Sequence, residues 1–430
     1  MHHRRLLIIG YILCVWFVIS FVTNLIGPLM PIIIDDFDLS LALAGVLPFS
    51  FFLAYGVISI PAGMLVEARG PRTTLLAAFT LNLLGCVAIA AVPSYLVVVG
   101  SLFIIGLGMA MLQVVINPLM RTAGGDAHFA FFSVMGQLVF GLASFLSPLA
   151  FAALMQGVDA PGASGTTWIT AVAQLAPSNL PWVAFYDAFV LIFVLTIALT
   201  VAIRIPGIEL KEDERAGRGD VYKKLLGDKY ARLFFLGIVA YVGTEQSLAN
   251  WMSQFLSTYH GLSPTEEGAH AVAWFWGLMS VGCLVGLLLL RLLDARVVLT
   301  LFSTLAIVCI ALALFGNGNV APQAFSAAGF FLSVMFSVIF SLALNSVASH
   351  HGALSGILCT GILGGALLPL LVGLLGDWVG LRLAMSILFL CVGYILSIGF
   401  WAKPLVRNET ISLKRRRKAA DAVGVNAASL

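Results

Sequence analysis

The sequence predicts an all-α membrane protein: twelve transmembrane helices arranged in two six-helix bundles. Three observations predict it. Twelve apolar runs fill the chain, each about the 20 residues a helix needs to cross a hydrocarbon core, or longer. Asp, Glu, Lys and Arg make up only 10% of the residues, and the mean hydropathy is +1.04. Positive charge is concentrated in alternate gaps between the runs. A soluble domain of 430 residues has no interior for that much apolar surface, so lipid must be the solvent. The bilayer is therefore the first partner, and a soluble enzyme or a nucleic-acid binder is excluded.

The first run, 7–33, follows Met1-His2-His3-Arg4-Arg5 and looks like the start of a signal peptide. Its apolar stretch continues through Ile34 without a small-residue cleavage site, so it reads as a retained helix. The next five runs are 41–65, 73–92, 95–120, 128–156 and 182–204. The second half follows as 231–258, 267–290, 297–315, 322–347, 352–376 and 380–402. The charged stretch from Glu209 to Arg232 separates six runs from six. The expected organisation is a bundle over 1–205, a cytoplasmic linker over 206–230, a second bundle over 231–402 and a basic tail over 403–430. The long gap Gly157–Pro181 is either a short amphipathic helix over Thr166–Leu175 or an irregular loop. The run Lys414-Arg415-Arg416-Arg417-Lys418 retains the tail in the cytoplasm or binds anionic lipid.

Orientation follows from the basic residues, because cytoplasmic loops retain Lys and Arg. With the N-terminus inside, only Arg382 of the 23 Lys and Arg residues lies outside. The outer gaps carry Asp35, Asp36, Asp38, Asp159, Glu266 and Glu267 instead. Both termini are expected in the cytoplasm, the localisation in a bacterial inner membrane and the oligomeric state monomeric. The six cysteines at 14, 86, 283, 309, 359 and 391 all fall in apolar runs without a CxxC pair, so they read as inert thiols. No metal cluster, nucleophile motif or phosphate-binding glycine loop is present in the sequence, so no cofactor, metal or enzymatic activity is expected. His350-His351 reads as a solvated loop pair.

The halves echo one another. Asn117 and Asn345 occupy matching places in the fourth and tenth runs, and Pro148 and Pro369 in the fifth and eleventh. After the second run comes Gly63-Met-Leu65-Val-Glu67-Ala-Arg69-Gly70-Pro-Arg72. It resembles the major facilitator signature Gly-x-Leu-x-Asp-(Arg)-x-Gly-x-(Arg/Lys), with Glu67 for Asp and Ala68 for the first Arg. Glycines allow a tight turn, and a carboxylate there can face a helix N-terminus. The resemblance implies a gating role for Gly63, Glu67, Gly70 and Arg72.

Polar side chains inside a membrane are costly unless they meet a cavity or a partner. In the seventh run Gln246, Asn250, Ser253, Gln254 and Ser257 recur every three or four residues, with Glu245 beside them. Gln113 and Asn117 are one turn apart in the fourth run, as are Ser20 and Asn24 in the first and Ser133 and Gln137 in the fifth. Ser333, Ser337, Ser341 and Asn345 step by four in the tenth. In a major facilitator fold the first, fourth, seventh and tenth helices line the central cavity, so these stripes are candidates for a solute pathway. The alternative is interhelical glue, which uses the same residue types. Candidate solute contacts are Asn24, Gln113, Asn117, Gln137, Gln246, Asn250, Trp251 and Asn345. Glu245 is the candidate proton carrier, as the one carboxylate placed at mid-membrane; Asp187 lies near an outer helix end. Amides, hydroxyls and the aromatics Trp251, Trp274, Trp276, Phe336 and Phe340 suit an uncharged, sugar-like solute.

Further segments are similar to the fucose–proton symporter family of sugar transporters. They are Gly106-Leu-Gly108…Gln113…Asn117-Pro118, Tyr241-Val-Gly243-Thr-Glu245, Asn24-Leu-Ile-Gly-Pro-Leu-Met-Pro31, Phe336-Ser-Val-Ile-Phe340-Ser341 and Gly364-Gly365…Pro369. The resemblance implies a secondary active sugar transporter working by alternating access. Two positions depart from it. Gln113 replaces the family's carboxylate in the fourth helix, and Gly27 stands where the fucose symporter has an Asp. Three readings stay open: Glu245 couples transport to protons, another ion does so, or the carrier is an uncoupled facilitator. An exporter of drugs or metabolites with the same fold is the other alternative.

Overall fold

The structure is a computed structural model that describes residues 2–124, 129–159, 180–203, 205–207, 224–346 and 351–403. Most of the predicted linker, the gap helix over Thr166–Leu175, His350 and the basic tail lie outside the described residues. Among those described, helices run almost without interruption and no strand occurs. The crossings are numbered α1 to α12. The first six are α1 (2–37), α2 (41–69), α3 (71–91), α4 (Tyr95–Gly124), α5 (Phe129–Asp159) and α6 (Val183–Ala202). The second six are α7 (Lys229–His260), α8 (264–292), α9 (Ala295–Phe315), α10 (321–346), α11 (351–379) and α12 (381–401).

Ten stretches are long and apolar enough to span a membrane, with the 51 residues of Leu41–Ala91 taken as one. That stretch is two crossings joined at Gly70, whose φ of 79° and ψ of 170° break the helix. The expected gap between the second and third runs is thus a single residue. Glycine serves there because a Cβ disfavours positive φ. α7 is as long as its neighbours but does not belong to the apolar set, because Glu245, Gln246, Asn250, Ser253 and Gln254 dilute it.

Interruptions inside the crossings have local causes. α1 turns at Asn24-Leu25 between His2–Thr23 and Ile26–Phe37. Pro28 has no N–H to offer the Asn24 carbonyl one turn back, so the helical ladder opens there. α10 breaks between Leu332 and Met335, where the Ser333 hydroxyl donates to the Phe330 carbonyl at 2.7 Å and competes with the ladder. α11 tightens into a 3-10 turn over Gly361–Leu363, ahead of Gly364-Gly365.

The molecule has a basic end, with Arg69, Arg72, Arg291, Arg296 and Lys403, and an acidic end, with Asp35, Asp36, Asp38, Glu266, Glu267 and Asp377. Within the first bundle α1 packs on α4 and α5, and α6 packs on the α2–α3 pair. Within the second, α8 and α9 pack on α10, and α7 on α11 and α12. Across the seam α1 meets α7, α2 meets α11 and α5 meets α8. Small residues let these backbones approach. A Cβ at Gly27 would lie 2.4 Å from the Ala249 carbonyl oxygen, one at Gly45 3.1 Å from the Leu370 Cα, and one at Gly141 2.1 Å from the Ser280 hydroxyl. Phe145 adds an edge-on contact with Trp274, ring centres 5.4 Å apart. All these approaches lie between the middle of the helices and the acidic end. Toward the basic end the bundles part: Gln137, about one turn beyond the Gly141–Ser280 contact, is exposed, and a Cβ at Gly63 would meet nothing within 4 Å.

Candidate functional site

The polar stripe of α7 sits partly at the seam between the bundles. Glu245 is half-buried at mid-helix. Its carboxylate accepts from the Tyr241 hydroxyl at 2.5 Å and from the Gln246 amide at 3.0 Å. Tyr241 was not singled out in the sequence; the signal for it is its place one turn before Glu245. The ring of Tyr241 in turn lies 6.0 Å from that of Phe336 on α10. α7 thus holds its own carboxylate in place with two donors, one turn away and next door.

Gln246 is buried against the other bundle. A Cβ at Gly365 would lie 3.0 Å from the Gln246 Cγ and 3.3 Å from the Phe52 ring, so α2, α7 and α11 meet around this side chain. One turn on, Asn250 is buried beside Gly27 of α1 and donates to the Gln246 carbonyl of its own helix at 2.8 Å. Ser253, further along the stripe, packs on Gly268 at the start of α8. Trp251 faces away from the stripe: fully buried, it donates to the Pro369 carbonyl at 3.0 Å and joins α7 to α11.

The other candidates lie apart. Gln113 on α4 is half-buried and makes no hydrogen bond among the described residues. The side chain of Asn117, its neighbour one turn on, lies outside the described residues, as does that of Ser133. α4 is not among the helices whose backbones pack extensively across the seam. Gln137 on α5 is exposed on the stripe that carries Gly141. Asn345, near the basic end of α10, reaches the Ser341 hydroxyl at 3.5 Å.

Asn24 is satisfied inside the first bundle. Its amide donates to the Ser20 carbonyl at 2.9 Å and to the Ser144 hydroxyl of α5 at 3.0 Å. Ser20 and Ser144 share a hydrogen bond of 2.7 Å, and Ser20 donates to the Phe140 carbonyl at 2.6 Å. At the basic end Glu67 is exposed and makes no hydrogen bond or ion pair among the described residues. Arg72 donates to the Val201 carbonyl at 2.5 Å, where it caps the end of α6 within its own bundle. Gly27 explains one departure from the fucose symporter pattern. With a Cβ there 2.4 Å from the Ala249 oxygen, no acidic side chain fits between α1 and α7 in this state.

Among the described residues no group of His, Cys, Asp and Glu is arranged to hold a metal ion. What α7 presents is amides and a carboxylate, which can hydrogen-bond a polar solute.

Comparison with known proteins agrees with this architecture. The family description of the Major Facilitator Superfamily matches residues 12–361. A glucose/galactose transporter of Brucella abortus is 31% identical over 393 residues, 89% of this chain and 91% of that protein. The crystal structure of the Escherichia coli fucose:proton symporter superposes with a TM-score of 0.63 at 19% identity, covering 92% of this chain and 98% of that one. A bacterial homologue of the human lysosomal transporter Spinster, in an inward-facing and unoccupied conformation, superposes with a TM-score of 0.74 at 14% identity over 93% of this chain and 97% of that one.

Proposed function

This chain belongs to the Major Facilitator Superfamily, and from that premise we propose that it is a secondary transporter for a sugar, working by alternating access. The observation that carries the reading is the position of the α7 stripe. Gln246 and Asn250 stand where the two bundles meet, with Glu245 beside them on α7, so a solute bound there is held by both halves and released when they rock apart. Gln246 Cγ lies beside both Phe52 of the first bundle and Gly365 of the second. The Asn250 amide, which bonds only to a carbonyl inside its own helix, can turn to a sugar's hydroxyl without leaving a buried partner unpaired, and the flanking rings of Tyr241 and Phe336 offer apolar faces to its C–H bonds. The glucose/galactose name of the Brucella relative supports the substrate class.

The acidic end is the outer face in this reading, because Lys and Arg stay on the cytoplasmic side. The structure is then closed outward and open to the cytoplasm, with both termini inside an inner membrane, and the carrier acts as a monomer. The two six-helix units and the charged stretch between them serve as the rocking halves and their tether. Glu245 carries the coupling proton: it is the mid-helix carboxylate next to the seam residue Gln246, Gln113 cannot ionise, and Gly27 has no room for an acid.

The test is counterflow in proteoliposomes with a panel of labelled hexoses, including glucose, galactose and fucose. Exchange of at least one of them, competed by the others, is the expected result. If no hexose exchanges while protein orientation and folding are sound, the sugar reading fails and the exporter reading takes its place. A reporter fused at the C-terminus that works only outside the cytoplasm is expected to be silent.

A further inference from the structure

The turn from α11 to α12 repeats the pattern of the turn from α2 to α3. Gly63-x-Leu65-x-Glu67-x-x-Gly70-x-Arg72 at the basic end is matched by Gly373-x-Leu375-x-Asp377-x-x-Gly380-x-Arg382 at the acidic end. The backbone agrees with the spacing. Gly380 has φ 80° and ψ 151°, beside 79° and 170° at Gly70. The same turn has thus been built at opposite faces of the membrane, once in each bundle.

The two copies differ in what they touch. Asp377 reaches across the seam to the start of α2: its Oδ1 accepts from the Leu41 N–H at 2.8 Å and its Oδ2 from the Ala42 N–H at 3.0 Å. These amides belong to the first turn of α2, which has no helical partners for them, and a carboxylate there faces the positive end of the helix dipole. The first glycine of the copy is part of the contact. A Cβ at Gly373 would lie 2.4 Å from the Leu41 carbonyl oxygen, so α2 rests directly on the α11 backbone. The final Arg382 is held by Tyr259, its guanidinium 4.4 Å from the ring centre and its backbone N–H donating to the Tyr259 hydroxyl at 3.1 Å. In the other copy Glu67 is exposed and Gly63 faces open space.

We propose that Asp377 is a latch that holds the acidic end shut by capping α2 from the opposite bundle, the working counterpart of the Glu67 turn that stands released at the basic end. The inference rests on the alternating-access reading, since a latch has meaning only if the seam opens. A side chain that caps a helix within one rigid unit would be a fixture. This one caps a helix of the other unit, so its bonds break whenever the bundles part at that end.

The test measures distance rather than transport. In the full chain, with its six native cysteines replaced by serine, spin labels at Leu96→Cys and Asn319→Cys report the gap between the bundles at the acidic end. Both positions are exposed there, one in each bundle. Loss of a helix cap shifts a helix equilibrium by roughly fivefold, so Asp377→Ala is expected to raise the open-to-closed ratio by about that factor. Asp377→Glu, which installs the acid of the other copy, is expected to keep the closed distance dominant. Leu41→Pro set against Leu41→Ala removes a donor amide from the other side; Ser40 before it is extended, with ψ 160°, as a residue preceding proline prefers. That pair keeps the question open to test even if Asp377→Ala does not fold, and the proline is expected to open the end. Two distances whose ratio ignores Asp377 and Leu41, or that shift equally with Asp377→Ala and Asp377→Glu, overturn the latch. A single distance in every variant, with and without sugar, overturns alternating access itself.

Discussion

The polar pairs Ser20–Asn24 and Gln246–Asn250, both read from the sequence as stripes, have opposite environments. Ser20, Asn24 and Ser144 close a network between α1 and α5 in which each group has a partner inside one bundle. Glu245, Gln246 and Asn250 bond along α7 alone, although Gln246 and Asn250 lie where the two bundles meet. The first group ties together helices that move as one body. The second leaves its hydrogen-bonding capacity tied to a single helix, available to a guest that enters the seam. What separates glue from site is thus the ownership of the partners, rather than residue type or depth.

The sharpest way to break this contrast is Glu245→Gln, which keeps size and one acceptor oxygen but removes titration. Gradient-driven accumulation should be lost while counterflow persists, because exchange needs the site and the rocking motion but no net proton release. A variant that still accumulates sugar with the normal pH dependence would leave the uncoupled facilitator as the better account. Next in size, Asn250→Ala should weaken apparent sugar affinity by about tenfold, the equivalent of about 1.4 kcal/mol, with thermal unfolding little changed. An equal loss of stability and affinity would place Asn250 with the glue.

The α1–α5 network should behave in the reverse sense. Asn24→Ala or Ser144→Ala should lower stability by about 0.6 to 1.7 kcal/mol, the range of buried polar contacts between membrane helices. Sugar affinity should be unaltered, and a double-mutant cycle on Asn24 and Ser144 should show coupling. Ligand protection that disappears in Asn24→Ala would mean that α1 contributes to the site after all. The smallest effect belongs to Trp251→Phe: loss of its bond to the Pro369 carbonyl should cost about 0.6 kcal/mol and leave counterflow kinetics unchanged.

Much of the fold is legible in the sequence, because apolar length and charge placement are dictated by the bilayer. The crossings and the acidic and basic ends follow from those constraints directly, whereas the turn at Gly63–Arg72 is legible only through its resemblance to the family signature. The site is legible only in part. A stripe such as Gln246–Asn250 is visible in the sequence through its period, yet nothing in that period says which helix lies opposite. The same holds for Asn24, whose partner Ser144 is 120 residues away, and for Trp251, whose indole partner is a carbonyl with no side-chain signal. Tyr241 could have been found from its spacing to Glu245, and Asp377 from its match to the Glu67 turn. Gln113 stands on a helix whose backbone does not pack extensively across the seam, and its period alone says nothing of what it faces.

The seam itself has a thermodynamic consequence. Backbone meets backbone across it at Gly27 on the Ala249 carbonyl, Gly45 on Leu370 and Gly373 on the Leu41 carbonyl. Fixing a long side chain costs up to about 2 kcal/mol of rotamer entropy, and glycine has none to lose. Surfaces that meet in this way can separate and rejoin with little side-chain ordering on either side of the step. A seam built so weighs lightly on the balance between its open and closed forms. That balance is then set by a few polar groups and by whatever solute sits between the bundles, which is the condition for a small ligand to drive a large movement.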